Sequence, residues 1–350
     1  GVSTLIATKS ARLTLAARGA GIADFAFRRA HAPHIAARSG YIGGCDSTSF
    51  VAGAMAYDIP ASGTIPHALV QAYPTEMEAF RAVAAALPEY SLLLDTYDVP
   101  QGIQHAIAVA KAERERSGNR LTAVRLDSGD LAYLSVRSAK MLDDAGFPEV
   151  SIVLSNQLDE LTIWQIQTQI AVEAPRYGLS ADAVIGRLIY GVGTRLITSK
   201  EDAALDGVYK LVAVEDDGRW TPAIKISESV AKVPNPGQKA VWRIYDRNGR
   251  ATVDLLTQVG ENPADAERLL LHHPVEHGTY RYLSAENISS IEPLLEEIIV
   301  EGRPVYERPT LGQIRERRQQ DMDRLHSGVK RLLFPHIYHV SLSENLWEQK

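Results

Sequence analysis

The sequence predicts an α/β protein with a parallel sheet, followed by a smaller and mostly antiparallel β domain. Short apolar runs alternate with helical patterns in the first part of the chain, which is typical of parallel βαβ units. Each apolar run ends in polar or small residues, which are unsuited to a core. After about residue 200 hairpin patterns replace the alternation, so we place the α/β body at residues 1–200 and the second domain at residues 201–350.

The composition narrows the class of protein. The chain has 350 residues, 45% hydrophobic and 23% charged, as expected of a globular protein of enzyme size. A formal net charge of -6 argues against a general electrostatic grip on nucleic acid. Cys45 is the single cysteine, and no segment resembles a signal peptide or an 18-residue apolar span. We therefore expect a cytoplasmic protein without nucleic-acid or membrane partners.

The first element is an amphipathic helix in "GVSTLIATKSARLTLAARG". Its apolar positions are Leu5, Ile6, Leu13 and Leu15, and its solvated positions are Lys9, Arg12 and Arg18. A helix of this kind usually follows other structure. We therefore expect that, in the full protein, a further segment precedes this helix.

The α/β body is predicted from five apolar runs and the helices between them. The strand candidates are "YDIPASGT" (57–64), "YSLLLDTYD" (90–98), "LTAVRLDSGD" (121–130), "EVSIVLSNQ" (149–157) and "RLIYGVGT" (187–194). Helices are expected over 74–89 and over 100–118, where Gly118 is a helix-ending residue, and another is expected to begin at "DELTIWQIQTQI" (159–170). This order fits either a doubly wound sheet or an α/β barrel.

The second domain is predicted from two hairpins. "GVYKLVAVEDDGRWTPAIKISE" is one, and "AVWRIYDRNGRATVDLLTQVG" is the other, closed by Asn248-Gly249. A charged helix in "TLGQIRERRQQDMDRLHSGVKRLL" and a strand in "YHVSLS" follow. The arginines of this helix alternate with carboxylates, so we interpret its surface as a solvated face.

The chemistry of an α/β protein collects at the carboxyl ends of its parallel strands. "SGTIPHAL" places Thr64 near His67, and a histidine there can act as base, acid or phosphate-accepting nucleophile, or only as a structural residue in the first turn of a helix. "LLLDTYD" ends in Asp95 and Asp98, which suit a cation or a magnesium-bound substrate, but also a turn or a helix cap.

"VRLDSGD" supplies Arg125 and Asp127, which point to one face of an extended chain. The guanidinium suits carboxylate or phosphate, and the carboxylate suits ribose hydroxyls or hydrated magnesium. The alternative is a structural ion pair beside a turn.

Two further strand ends carry groups suited to phosphate. "LSNQLDE" offers Ser155 and Asn156 at a predicted helix start. "YGVGTRL" offers Gly193 and Thr194 in a loop whose amides could bind phosphate, although a tight turn explains the glycines equally well. The spacing is neither a Walker loop nor a dinucleotide fingerprint.

Two other groups of residues are weak candidates for a catalytic nucleophile and a metal site. Cys45 has no neighbouring base in sequence, so we interpret it as a small buried residue. The histidines of "LHHPVEH" lack partners at zinc-site spacing, so we predict no metal-ligating residues.

Eight segments together resemble nicotinate phosphoribosyltransferases, in the same order and over nearly the whole chain. They are "DFAFRRAH", "YIGGCDSTS", "SGTIPHA", "VRLDSGDLAYLS", "LSNQLDE", "GVGTRLITS", "GVYKLV" and "PHIYHVSLSENL". The resemblance implies an irregular α/β barrel with a second domain built from both ends of the chain, so residues 201–350 would also hold the remaining barrel elements. It further implies a homodimer with active sites at the subunit interface.

The implied reaction joins nicotinate to phosphoribosyl pyrophosphate, giving nicotinate mononucleotide and pyrophosphate in NAD salvage, with Mg and with ATP as co-substrate. By resemblance, His67 and Asp127 are catalytic and His67 receives phosphate from ATP. Thr64, Arg125 and Arg28 would bind nicotinate. The phosphoribosyl group would be bound by Ser155, Asn156, Gly193 and Thr194.

Family members begin well before the first helix of this chain, and that front part carries an aromatic residue that stacks on nicotinate across the dimer. Two alternatives remain open. One is a phosphoribosyltransferase for nicotinamide or quinolinate, although Arg28 and Arg125 favour an acidic base. The other is a non-catalytic nucleotide-sensing relative that keeps the fold.

Overall fold

The computed structural model describes residues 1–198, 204–205, 207–228 and 232–350. The chain divides into two compact units, Gly1–Leu205 and residues 206–350. The domain boundary predicted between residues 200 and 201 lies outside the described residues.

The first unit alternates strands and helices. Its strands are β1 (Gly21–Asp24), β2 (Ser47–Thr48), β3 (Glu89–Leu93), β4 (Arg120–Leu126), β5 (Ser151–Leu154) and β6 (Leu188–Val192). Its helices are α1 (Val2–Ala17), α2 (Pro33–Gly43), α3 (Val51–Tyr57), α4 (His67–Gln71), α5 (Glu76–Ala86), α6 (Val99–Arg116), α7 (Leu131–Asp144), α8 (Glu160–Glu173), α9 (Ala181–Gly186) and α10 (Thr194–Ile197).

The strands of the first unit form one parallel sheet in the order β2-β1-β6-β5-β4-β3. This sheet is a half-barrel, and it confirms the predicted α/β class. Side chains on its strands β3, β4 and β5, such as Leu92, Val124 and Ile152, are completely buried, as expected of parallel strands that are covered on both faces. Because all six strands run the same way, their carboxyl ends share one edge.

The sequence analysis was wrong about one strand and missed two others. "YDIPASGT" forms a single bridge, from Ala61 to Thr48, rather than a strand. Pro60 lacks an N–H group and the following residues are small, so the segment cannot continue a ladder. The strands β1 and β2 were missed because their sequences, GIAD and ST, contain no apolar run.

The predicted first helix is confirmed, but two of the side chains predicted to be solvated are only partly exposed and form ion pairs. Lys9 donates to Glu160 Oε2, and Arg12 Nε donates to Oε1 at 2.9 Å. Burial alone would raise the pKa of Glu160, but these two hydrogen bonds outweigh it and hold the pKa below its usual range. The two hydrogen bonds to Glu160 hold α1 against the start of α8.

The second unit contains the predicted antiparallel structure. Its strands are β7 (Ala213–Asp216), β8 (Arg219–Pro222), β9 (Lys239–Asp246), β10 (Ala251–Gln258), β11 (Arg268–His272), β12 (Tyr280–Ser284), β13 (Ile288–Pro293), β14 (Ile299–Val300), β15 (Arg303–Pro304) and β16 (His339–Leu342), and its helices are α11 (Leu311–Asp323) and α12 (Glu344–Gln349). The main sheet has the order β12-β11-β16-β10-β9-β13 and is antiparallel except between β10 and β16. Both predicted hairpins, β7–β8 and β9–β10, are confirmed.

Two residues stabilise the turn between β9 and β10. Gly249 has φ of +70°, a conformation that glycine adopts without strain. The Asp246 carboxylate accepts hydrogen bonds from the N–H groups of Asn248 and Arg250. Buried side chains of strands β9, β10 and β11 form a hydrophobic core of the second unit: Ile244, Val253, Leu255, Leu269 and Leu271.

Two expectations from composition concern cysteine and membranes. Cys45 is a free and buried thiol, as predicted, with Sγ 3.2 Å from Ser10 Oγ. In the described part of the chain, every helix is too short or too polar to cross a membrane.

We expect Glu160→Gln to destabilise the protein by about 1–3 kcal/mol at pH 7, because it removes the half-buried negative charge to which Lys9 and Arg12 donate. The lowered pKa means that the Glu160 carboxylate stabilises the fold above its unfolded pKa near 4.5, and that this stabilisation is lost as the pH falls through the folded value. Urea unfolding of both proteins at pH 7 and at low pH measures the difference.

The matched control is Glu149→Gln, which breaks an exposed pair with Arg114 and should cost less than about 0.5 kcal/mol. A Glu160→Gln deficit of equal size at both pH values would show that the carboxylate charge is not its origin.

Candidate active site at the carboxyl edge of the parallel sheet

A cavity of about 670 Å³ opens at the carboxyl edge of the parallel sheet, within the first unit. Eight of the nine predicted site residues line it: Arg28, His67, Arg125, Asp127, Ser155, Asn156, Gly193 and Thr194. The ninth, Thr64, accepts a hydrogen bond from Arg125 Nη1 at 2.7 Å. Parallel strands therefore bring together residues that are up to 166 positions apart, from Arg28 to Thr194.

Arg125 lies at the end of β4 and is the most connected residue of the site. Its Nη1 donates to Thr64, its Nε donates to Ser155 Oγ at 2.9 Å, and its Nη2 lies 2.9 Å from Asp127 Oδ1. The ion pair that the sequence left as an alternative is therefore present, but it lies in the cavity wall. A guanidinium fixed at three nitrogens presents a rigid, permanently charged group.

Asp127 uses its two carboxylate oxygens differently. Oδ1 receives Arg125 and the hydroxyl of Ser155, whereas Oδ2 lies 3.7 Å from His67 Nε2. Burial alone would raise the pKa of Asp127, but the hydrogen bond from Ser155 and the charge of Arg125 outweigh it and lower the pKa. The carboxylate is consequently ionised at neutral pH.

His67 begins α4 and reaches into the cavity with a partly exposed ring. Its Nδ1 lies 3.1 Å from Thr96 Oγ1, so this hydroxyl orients the ring from behind. Nε2 faces Asp127 Oδ2. Thr96 follows β3 and had no predicted role, because a lone threonine after a strand carries no sequence signal.

The other acidic residues at this edge hold the backbone. Asp95 Oδ2 accepts hydrogen bonds from the Asp127 N–H and the Ser128 hydroxyl, while Oδ1 is buried without a hydrogen-bond partner among the described residues. Asp98 and Asp130 cap α6 and α7, accepting from Gln101 N and Tyr133 N respectively. The cap formed by Asp98 matches the structural alternative stated for that residue.

Phe25 forms part of the cavity wall and was not predicted. It follows β1, and its ring centroid lies 6.0 Å from the Arg125 guanidinium carbon. A Cβ at Gly191 would lie 2.4 Å from the ring, so only glycine allows this packing. A single phenylalanine after a missed strand gave no signal, whereas Gly191 was visible in the glycine-rich loop.

The loop after β5 is strained where it meets the cavity. Asn156 and Gln157 have φ values of +89° and +48°, which non-glycine residues rarely adopt. Consecutive residues of this kind persist only where the surrounding structure holds them, and they concentrate at functional sites.

The cavity is cationic. Its lining contains the guanidinium groups of Arg28, Arg29, Arg125 and Arg195, but Asp127 is its only lining carboxylate among the described residues. In the same described part of the chain, Arg28, Arg29 and Arg195 make no ion pair. Arg29 and Arg195 had no assigned role, although each adjoins a residue that did. The cavity therefore suits a ligand with several negative charges.

Metal-binding groups are sparse in the described residues, where no three His, Cys, Asp or Glu side chains come together as a metal site. His272 stacks on Trp347 with ring centroids 5.2 Å apart, and His277 packs against the same indole. These two histidines of "LHHPVEH" therefore have an aromatic packing role.

Comparisons with known proteins agree with one another. The family described as "Nicotinate phosphoribosyltransferase (NAPRTase) family" matches residues 21–263, and "Nicotinate phosphoribosyltransferase C-terminal domain" matches residues 238–350. Nicotinate phosphoribosyltransferase of Bacillus subtilis is 38% identical, over 99% of this chain and 68% of its own length. Nicotinate phosphoribosyltransferase pncB2 of Mycobacterium tuberculosis is 36% identical, over 95% of this chain and 62% of its own.

The fold comparison gives the same result. The crystal structure of human nicotinic acid phosphoribosyltransferase matches with a TM-score of 0.77 at 27% identity, over 99% of this chain and 73% of that one. The chain thus spans about two thirds of the length of the two bacterial relatives.

We expect Gly191→Ala to destabilise the protein by about 1–3 kcal/mol, because the new methyl group overlaps the Phe25 ring. Gly186→Ala is the matched control, since a Cβ at this glycine of the preceding helix meets nothing within 4 Å and should be neutral or slightly stabilising. Thermal unfolding of both variants measures the effect. Equal melting temperatures would mean that Phe25 does not pack on this glycine.

Proposed function

The chain belongs to the nicotinate phosphoribosyltransferase family, and we propose that it joins nicotinate to phosphoribosyl pyrophosphate, giving nicotinate mononucleotide and pyrophosphate. The observation that carries the proposal is the charge of the cavity, where four arginines face one carboxylate among the described lining residues. Nicotinate, the 5′-phosphate and pyrophosphate are all anions. A cavity of this charge offers each of them a partner.

At the nicotinate end, we propose that Arg125 and Arg28 attract the carboxylate and that Thr64 keeps Arg125 in place. The planar guanidinium of Arg125 already has fixed partners, so little ordering cost remains when a planar carboxylate binds. The neighbouring Phe25 ring provides an aromatic face for the pyridine ring.

At the sugar end, the pyridine nitrogen attacks C1 of the ribose, and the bond from C1 to pyrophosphate breaks with its electron pair on the leaving oxygen. Positive charge develops at the sugar, as it does in glycoside cleavage. The ionised Asp127 stabilises this charge, while Ser155 and Asn156 orient the ribose and Gly193 and Thr194 bind phosphate.

Magnesium is part of the proposal, and the donor chemistry fits it. Mg²⁺ binds through one or two carboxylates together with substrate phosphates and water. Asp127 Oδ2 and Asp95 Oδ1 make no hydrogen bond with the described residues, so these oxygens would hold the hydrated ion. When bound, the ion neutralises charge on the leaving pyrophosphate.

We also propose that ATP phosphorylates His67. In this step the Nε2–P bond forms and the P–O bond to ADP breaks. The attacking Nε2 must be unprotonated, which is the case in the tautomer whose Nδ1–H donates a hydrogen bond to Thr96 Oγ1. The phosphate then adds about one to two negative charges beside Asp127, which changes the affinity of the site for its anionic substrates.

Three features of the proposal concern the protein in its cell. We place it in the salvage route to NAD, in the cytoplasm and as a homodimer that shares its active sites. The single buried thiol suits a reducing compartment. Val51 and Met55 of α3 are exposed apolar side chains close to the Phe27–Phe50 stack, and a second subunit could cover them.

Turnover with nicotinate and phosphoribosyl pyrophosphate tests the reaction, followed as pyrophosphate release. We expect Arg125→Lys to lower kcat/KM at least about 100-fold, since an ammonium cannot keep all three partners of the guanidinium. Arg120→Lys is the control, because Arg120 lies on the same strand but forms an exposed pair with Glu89.

Three results would contradict this assignment. Absence of turnover in the full-length protein would favour a non-catalytic relative. Preference for nicotinamide or quinolinate in direct competition would change the substrate. An Arg125→Lys variant as active as Arg120→Lys would remove Arg125 from the site.

For the ATP step, we expect His67→Gln to abolish ³²P transfer from γ-labelled ATP to the protein and to uncouple ATP hydrolysis from product formation. His277→Gln is the control, since that histidine is exposed in the second unit. Continued stoichiometric coupling in His67→Gln would overturn this part of the proposal.

A further inference from the structure

The guanidinium groups of Arg125 and Arg29 contact different parts of the cavity wall. The Arg125 guanidinium carbon lies 6.0 Å from the centroid of the Phe25 ring. The Phe25 carbonyl oxygen and Arg29 Nη1 each lie 3.6 Å from the position that a Cβ of Gly193 would occupy. Arg29 is therefore in contact distance of the loop that follows β6, whereas Arg125 belongs to the wall formed by β4 and β5.

Arg29 has no counter-charge within the described residues. Arg125 is neutralised by Asp127, the one carboxylate of the described cavity lining. Arg29 is exposed to solvent and makes no ion pair with any described side chain. An uncompensated guanidinium beside a glycine loop favours an anion at that place.

The turn that carries Arg29 is firmly held. The buried Asp24 accepts hydrogen bonds from Ala26 N at 2.8 Å and from Thr48 Oγ1 at 2.9 Å. The Phe25 N–H donates to Val192 O, at the end of the strand that leads into Gly193. This hydrogen bond joins the backbone of the turn that carries Arg29 to the end of β6, next to Gly193. The backbone position of Arg29 relative to the Gly193–Thr194 loop is therefore fixed.

Phe27 fixes the same turn from the other side. Its ring stacks on Phe50 with centroids 5.6 Å apart and planes 17° from parallel. Arg29 N donates to Ala26 O, and Ala30 N donates to Phe27 O, which closes the turn. Arg28 and Arg29 are successive residues of this turn, but only Arg29 contacts the Gly193 position.

We propose that Arg29 binds the phosphate monoester of the phosphoribosyl substrate at the Gly193–Thr194 loop, and that it sets the affinity for this substrate without affecting nicotinate. The identity of the phosphate as the 5′-phosphate rests on the proposed function. The two arginines then have separate roles: Arg125 binds the aromatic acid near the Phe25 ring, and Arg29 binds the phosphate at the Gly193–Thr194 loop. A ligand with an aromatic acid at one end and a phosphate at the other matches both arginines.

The test compares three variants of the full chain: Arg29→Gln, Arg29→Lys and Arg38→Gln. Calorimetry measures binding of ribose 5-phosphate and of pyrophosphate, each alone, and steady-state kinetics gives KM for both substrates. Arg38→Gln removes the same charge from α2 outside the cavity lining, so it controls for net charge. Circular dichroism and melting temperature check that each variant is folded.

We expect Arg29→Gln to weaken ribose 5-phosphate binding roughly 10-fold to 100-fold, and to raise KM for phosphoribosyl pyrophosphate while KM for nicotinate stays unchanged. Arg29→Lys should restore part of the affinity, because a single charge replaces the planar group. Arg38→Gln should bind like the unmodified protein.

The outcomes separate this inference from the proposed function. If the protein turns nothing over but binds ribose 5-phosphate through Arg29, the phosphate site stands and the proposed reaction fails. If turnover proceeds and Arg29→Gln binds ribose 5-phosphate normally, or weakens only pyrophosphate, the inference is overturned. Failure of the unmodified protein to bind ribose 5-phosphate also overturns it.

Discussion

The site depends on the contacts of Arg125, because this one side chain joins segments that the chain order keeps apart. Its guanidinium binds Asp127 on its own strand end, Ser155 on the next strand end and Thr64 in the loop before α4. These bonds hold the three segments together in the cavity wall, at the carboxyl edge of the sheet. They also keep Asp127 ionised, because the hydrogen bond from Ser155 and the charge of Arg125 outweigh the effect of burial on its pKa. A substrate therefore meets a wall whose charges are already in position.

The same ion pair affects how the cavity would bind the anions of the proposed reaction. Arg125 and Asp127 cancel each other at close range, so the net positive charge comes from the arginines that lack ion-pair partners among the described residues. In the proposed reaction, Asp127 faces the positive charge that develops on the sugar, and the proposed phosphate partner is Arg29. A uniformly positive cavity would bind the substrates but would oppose the charge that develops on the sugar.

Much of this arrangement could be predicted from the sequence. The parts that were not predicted share one cause. Arg125 and Asp127 stand two positions apart at a strand end, so spacing alone placed them on one face. Phe25 and the partners of Lys9 depend on contacts across more than a hundred residues, and no local pattern encodes them. The sequence suggested that Lys9 was solvated because helical periodicity shows which face of α1 is polar, but not which element packs against that face.

Three features of the first unit that cost free energy lie at the edge of the sheet that carries the cavity. Asn156 and Gln157 have positive φ, Gly191 tolerates no side chain, and Asp95 Oδ1 is buried without a hydrogen bond from the described residues. Each feature costs free energy, and the buried side chains of the strands behind the edge supply the stability that offsets the cost. If the loop after β5 served only to connect two elements, a relaxed turn would be equally good. The two adjacent strained residues in the cavity wall, Asn156 and Gln157, therefore argue that the geometry of this loop is maintained for binding and catalysis.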